Sequence, residues 1–186
     1  MGSLTISGGT LRSRRVPSPP GRAVRPTPGR VKEALFSILG ERVANARVLD
    51  LYAGSGALGF EALSRGAAQV TFVERHRPTA NALRSAAQAL GVADRCTIVA
   101  APAERAARAL AGPYGVVFAD PPYAQPYPGA LFAALRAAGA IGRDTTVVYE
   151  HAARRAAPDD RALRLERSER YGDVALAFLR PVDEAA

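Results

Sequence analysis

The chain has 186 residues, of which 48% are apolar and 23% charged, and it carries a formal net charge of +8. That length and balance suit a soluble globular domain with a sizeable core, and no uncharged run approaches the ~20 residues needed to cross a bilayer. A lone cysteine, Cys96, excludes an internal disulfide and suits packing in a reducing cytosol, and two separated histidines, His76 and His151, lack metal-ligand spacing. No metal is expected, and the absence of a secretory or lipidation pattern leads us to expect a cytoplasmic protein.

The charge is unevenly placed. Arg12, Arg14, Arg15, Arg22, Arg25, Arg30 and Lys32 fall within residues 1–32, which contain no Asp or Glu, so this segment holds seven of the net eight positive charges. A basic arm on an otherwise near-neutral body points to a polyanion, most economically nucleic acid. Leu4, Ile6 and Leu11 around Gly8-Gly9 suggest a short hairpin, and the proline-rich run from Val16 to Gly21 should cross the surface extended. Thr27-Pro28 reads as an N-cap followed by proline in the first helical turn. Val31, Ala34, Leu35, Ile38 and Leu39 then recur at helical spacing over residues 28–40.

From residue 46 strands and helices alternate. Strands are expected at Val48-Leu49, Val70–Val73, Thr97–Val99, Val116–Ala119 and Thr145–Tyr149. Helices are expected through Leu58–Leu63, over 77–90 up to Gly91, at Ala103–Leu110 and over 129–138. Two last strands, about 162–168 and 173–180, meet near Tyr171-Gly172. Such alternation predicts an α/β fold, a mostly parallel Rossmann-like sheet covered by helices on both faces and ending in an antiparallel hairpin.

Two strand ends carry the chemistry. The first is followed by a glycine loop, Asp50-Leu51-Tyr52-Ala53-Gly54-Ser55-Gly56-Ala57-Leu58-Gly59, with Glu74 at the end of the next strand. The glycines match a dinucleotide fingerprint, but a carboxylate at the loop mouth would repel a pyrophosphate. It favours a cation, and S-adenosylmethionine, with a sulfonium and an ammonium, is one. On this basis Asp50 neutralises the methionine end and Glu74 accepts the ribose hydroxyls. Gly54 and Gly56 let the backbone come close, Tyr52, Ala53 and Ser55 complete the loop, and Ala103 offers its N–H to the adenine. His76, just past Glu74, reads as a surface residue.

The other strand end is Asp120-Pro121-Pro122-Tyr123, after the apolar run Tyr114–Ala119. Neither proline can donate to a ladder, so the strand stops at a carboxylate and a stiff, extended stub. Asp120 and the Pro121 carbonyl can accept both N–H groups of an exocyclic base amine, with Pro122 stiffening the stub and Tyr123 stacking on the ring.

With these motifs in hand, the chain resembles the bacterial 16S ribosomal RNA guanine-N2 methyltransferases of the RsmD type. The stretches Arg25-Pro26-Thr27, Arg30–Phe36, Leu49–Gly59 and Glu61–Ala67 are similar to that family's N-terminal signature, and the likeness covers nearly the whole chain. It implies a seven-stranded class I methyltransferase sheet over residues 28–186, with residues 1–27 as a basic hairpin or arm for RNA contact. It also implies S-adenosylmethionine as donor, a guanine in small-subunit RNA as acceptor, and action on a partly or fully assembled subunit; the absence of an obvious exposed apolar helix makes a monomer the expectation. Two positions depart from the family pattern: Pro102 stands where an acid often faces the adenine, and Ser13 replaces a glycine of the basic hairpin. A DNA adenine-N6 methyltransferase shares the Asp-Pro-Pro-Tyr motif, but the stretches 124–129 and 150–160 leave little room for a target-recognition region. A non-catalytic RNA-binding protein on the same scaffold is the other alternative.

Overall fold

A computed structural model of the chain describes residues 3–17, 29–122 and 125–182. Strands β3 (Arg47–Leu51), β4 (Gln69–Val73), β5 (Cys96–Val99), β6 (Tyr114–Ala119) and β7 (Ile141–Ala152) run parallel. β8 (Leu163–Tyr171) and β9 (Val174–Pro181) add an antiparallel hairpin, giving seven strands in the order β5-β4-β3-β6-β7-β9-β8. The mostly parallel sheet with an antiparallel end is what the alternation predicts, and its seven strands form the Rossmann-like class I methyltransferase arrangement that the resemblance implies. The order reverses between β3 and β6, whose carboxyl ends therefore flank the crevice where such sheets take their ligands.

Both faces of the sheet are covered because the parallel strands are apolar on both sides. On one face α1 (Gly29–Leu39), α2 (Ala57–Ser64) and α3 (Arg77–Leu90) pack through Leu35, Phe36, Phe60, Leu63 and Leu83 onto Val48, Phe72, Val116 and Phe118. On the other, α4 (Ala103–Ala106) and α5 (Gly129–Ala137) bring Ala106, Leu131, Phe132 and Leu135 onto Leu49, Leu51, Val117 and Val147. Each large side chain so buried contributes roughly 1.5–3 kcal/mol.

Several element boundaries differ from the sequence expectation. β3 continues past Asp50, because Leu51 pairs with both Val73 and Ala119. β7 starts at Ile141 and runs to Ala152; its early residues join through an irregularity that Thr145 holds, Oγ1 donating to the Tyr114 carbonyl (2.6 Å) and accepting from Gly142 N–H (2.9 Å). α4 stops at Ala106 and tightens into a turn, Ala109 N–H to Ala106 O at 2.9 Å, since β6 must begin just beyond Pro113.

The N-terminal hairpin is fastened to this body. β1 (Ser3–Thr5) pairs antiparallel with β2 (Arg15–Pro17), so Val16 and Pro17 are strand residues and not part of a surface crossing. Ile6 and Val16 are buried in the same core as α1–α3, and the connecting loop includes Ser13 at φ +67°, a conformation in which glycine is more usual. The proposed boundary at residue 27 therefore does not separate residues 3–17 from the core. At the far edge of the sheet β8 carries Arg164, Glu166, Arg167, Glu169 and Arg170, four of them exposed, and its pairing shifts register between Leu165 and Arg167. Among the described residues no helix is long and apolar enough to cross a membrane.

Candidate active site

Asp50 projects from β3 beneath the start of α2. Its Oδ2 accepts the Gly59 N–H at 2.9 Å, and a Cβ on Gly59 would lie 2.2 Å from a Phe72 ring carbon and 3.0 Å from that same oxygen. Glycine at 59 is what lets helix and carboxylate meet. Burial pushes the Asp50 carboxyl up to about 8; the Gly59 N–H opposes this and the nearby Glu74 adds to it. Gly54 holds φ +54° and donates its N–H to Glu74 Oε2 (3.0 Å), while Glu74 Oε1 accepts from the His76 N–H (2.7 Å). Glu74 is thereby locked at the end of β4, buried, while His76 is exposed as expected.

Gly56 has a packing reason of its own beside the close cofactor approach expected from sequence. It caps α2 at φ +76°, and a Cβ there would lie 2.6 Å from Phe60 and 2.7 Å from Leu83. Packing of the helix excludes any side chain. Tyr52, at φ +58°, accepts a left-handed backbone that costs on the order of 1–2 kcal/mol, and its hydroxyl donates to Glu104 at 3.3 Å. Ala53 and Ser55 are buried in the loop between. Ala103 opens α4, so its N–H has no carbonyl partner within the helix.

Asp120 follows the last residue of β6. Because Asp50 pairs in register with Phe118, the carboxyls at 50 and 120 stand at the same end of adjacent strands. Burial, then Glu150, then Asp50 raise the Asp120 carboxyl well above the ordinary range. The Pro122 carbonyl is taken by Gln125 N–H (2.8 Å), so its contribution is to the turn. Tyr123, Arg22 and Arg25 lie outside the described residues.

Glu150 is the site residue the sequence reading missed. It lies inside β7, one place beyond the Tyr149 that pairs with Ala119, and is 5% exposed. The available signal was a fourth acid at the carboxyl end of a strand, hidden because the strand was ended at Tyr149. On the opposite face Tyr149 stacks with His151 (centroids 5.3 Å, 13° between planes) and meets Tyr127 edge-on at 5.2 Å. Cys96 packs partly buried against the core, and burial pushes its thiol up to about 11.

Of the seven cations assigned to RNA, Lys32 is misplaced. Its side chain is 3% exposed, and its ammonium donates to the Thr5 carbonyl (2.9 Å) and to Glu61 Oε2 (3.2 Å). Its partner lies 29 positions on, which is why a charge run hid it. Glu61, itself fully buried, also accepts Ser7 N–H (2.9 Å), Ser7 hydroxyl (2.8 Å), Gly8 N–H (2.9 Å) and Arg65 Nε (2.9 Å). Burial alone would raise this carboxyl, but those donors and Lys32 hold it below its ordinary value. Arg12, Arg14, Arg15 and Arg30 are exposed. The hairpin loop rests on the end of α2, with Thr10 N–H to Ser64 O at 2.7 Å, and Arg14 reaches the Ala89 carbonyl near the end of α3 (3.0 Å). Both helices start at the Asp50–Glu74 end, so the hairpin tip lies roughly 12–18 Å away, at the other end of the sheet.

A family model described as "Conserved hypothetical protein 95" matches residues 4–180, nearly the entire chain. The chain belongs to this RsmD-type methyltransferase family. It is 39% identical to "Ribosomal RNA small subunit methyltransferase D" of Escherichia coli K12 over 122 residues, which is 66% of this chain and 61% of the relative. It is 31% identical to "Putative rRNA methyltransferase YlbH" of Bacillus subtilis over 181 residues, 95% and 98% of the two chains. Among solved structures, "Putative methyltransferase yhhF" from Escherichia coli superposes with a TM-score of 0.88 at 30% identity, over 98% of this chain and all of that one. Within this RsmD-type fold Asp50 and Asp120 flank the switch point between β3 and β6, with Glu74 just past the end of β4 and Glu150 inside β7, two residues short of its end.

Proposed function

We propose that the protein transfers a methyl group from S-adenosylmethionine to the exocyclic N2 amine of a guanine in small-subunit (16S) ribosomal RNA. One observation carries this reading: Asp50, Glu74 and Asp120 converge at the carboxyl ends of adjacent strands, the first two buried and Asp120 half-buried, where the described charges acting on Asp50 and Asp120 are other carboxylates. Among the described residues, such a site is short of positive charge. A cationic donor fits Asp50, whose burial-raised proton affinity a sulfonium and ammonium would replace, and Glu74 is fixed where a ribose diol would meet it. When bound, that donor supplies an electrophilic methyl carbon.

The residues of this chain do the rest. A guanine amine is a weak nucleophile because its lone pair is delocalised into the ring. Asp120 and the Pro121 carbonyl, taking its two protons as hydrogen bonds, favour a pyramidal nitrogen and stabilise the positive charge that grows there. Tyr123 stacking, worth roughly 1–3 kcal/mol, holds the flipped base. Arg12, Arg14, Arg15, Arg22, Arg25 and Arg30 engage phosphates.

The names of the relatives support a ribosomal RNA acceptor; the guanine and its N2 atom come from the motif and the resemblance. The test is transfer of tritiated methyl to unmodified small subunits, to free 16S RNA and to DNA, followed by nucleoside identification. N2-methylguanosine from either ribosomal substrate is the expected product, and N6-methyladenine in DNA would replace this reading. We further propose a monomer, checked by light scattering.

A further inference from the structure

We propose that Arg155 is a positioning residue for methyl transfer: its guanidinium holds the segment that follows β6 and so sets where the Pro121 carbonyl and Asp120 meet the acceptor amine. The proposal rests on the reading of Asp120 and Pro121 as the groups that take that amine. β6 ends at Ala119, and neither Pro121 nor Pro122 has an N–H to tie the stub to a neighbouring strand. What fastens the stub lies further on. Gln125 donates its N–H to the Pro122 carbonyl (2.8 Å), and its own carbonyl accepts from Arg155 Nη1. Gln125 is thus bonded to the stub on one side and to Arg155 on the other.

Arg155 is itself placed by the body of the sheet. β7 ends at Ala152, whose carbonyl accepts the Arg155 N–H (2.9 Å), and the Ala153 N–H bonds to the Asp173 carbonyl just before β9 (2.9 Å). The guanidinium therefore reaches from a turn bonded into the sheet to a loop that is not.

It also lies against the Tyr149–His151 stack. Burial raises the Tyr149 hydroxyl, Arg155 opposes this by charge and hydrogen bonding, and Asp120 adds to it. Burial lowers the His151 imidazole, the Ala152 carbonyl opposes this, and Arg155 adds to it. The Tyr149 ring in turn meets Tyr127, two residues past Gln125, edge-on at 5.2 Å. A guanidinium with donors in a fixed fork can serve the Gln125 carbonyl and Tyr149 at once, which a lysine ammonium does less well. A displacement of the stub by about 1 Å would take its carbonyl out of hydrogen-bond range of an amine that Asp120 still holds.

The tests are Arg155→Met, which keeps the length of the side chain and removes the fork, and Arg155→Lys, which keeps the charge. In Arg155→Met kcat should fall about 10–100-fold, as misplacing a reacting group does, with KM for the ribosomal substrate and cofactor Kd within about twofold. Arg155→Lys should recover only part of that loss, which separates the fork from the charge. Hydrogen exchange read by NMR needs no acceptor. The Gln125 amide should exchange about tenfold faster in Arg155→Met, and faster in Arg155→Lys, while the Val117 and Phe118 amides of β6 keep their rates. The result therefore does not hinge on one variant folding. Unchanged Gln125 exchange would overturn the hold on the loop, and faster exchange with unchanged kcat would overturn its part in the reaction. A raised KM with unchanged kcat and a salt slope smaller by about 1 would make Arg155 a phosphate contact instead. Faster Gln125 exchange in a protein that methylates no guanine would leave the hold on the loop standing and remove the acceptor reading.

Discussion

The two ends of the parallel sheet present opposite chemistry. At the carboxyl end, Asp50, Glu74 and Glu150 are buried and Asp120 half-buried; at the other end, the hairpin loop places exposed Arg12 and Arg14 beside the last turns of α2 and α3. On the proposed reading, negative charge at the carboxyl end serves a cationic donor and an amine becoming cationic, and it would repel a phosphate. Backbone contacts are therefore better made a helix length away, and the anchored hairpin sets that distance. Glu61 is the shared element: α2 leaves the glycine loop at one end and grips the hairpin near its other.

The strongest break in this comparison is Glu61→Ala. It strands a buried Lys32 and frees the hairpin, so a loss of about 3–5 kcal/mol is expected in urea unfolding. Truncating residues 1–27 would expose the Ile6 and Val16 sites as well, so an RNA-binding defect in that deletion would not isolate the arginines.

Next in size, Asp120→Ala should lower kcat on the order of 10²–10³-fold with cofactor affinity nearly unchanged, measured by calorimetry and by methyl transfer. Equal loss of both would merge the two halves of the reacting end.

The third test is pH. Between its ordinary 3.8 and about 8, Asp50 holds a proton in the folded protein that the unfolded chain has released. Its stabilising contribution is therefore complete below 3.8 and is lost as pH rises through about 8. Tm should fall by roughly 5 °C from pH 6 to pH 9 relative to Asp50→Asn. Binding of a cationic donor at pH 7 should release about one proton, read from calorimetry in buffers of different ionisation enthalpy.

The smallest effect is expected at the basic end. Replacing Arg12, Arg14 and Arg15 with alanine should leave Tm nearly unchanged and flatten the slope of log K against log salt by about 2–3. Replacing Lys32 should do the reverse.

Much of the reacting end was legible in the chain because local rules wrote it. Prolines stop β6 at Asp120, glycines open the turn after β3, and an acid closes β4. What escaped depended on distant partners. Lys32 looks like its basic neighbours until Glu61 is folded against it, and Val16 in a proline-rich run becomes a strand only when Leu4 pairs with it. Glu150 stayed hidden because β7 runs past Tyr149 only through its antiparallel pairing with β9, where Glu150 lies opposite Leu176. Gly56 and Gly59 were found by pattern, but the steric demands of Phe60, Leu83 and Phe72 explain them better than the pattern did.

The outermost strand, β8, leaves one row of peptide groups open to the side. Its alternating arginines and glutamates, together with the shift in its pairing, make that margin a poor template for another extended segment. Lateral growth of the sheet into fibrils or swapped pairs is thus discouraged while the chain waits for its substrate.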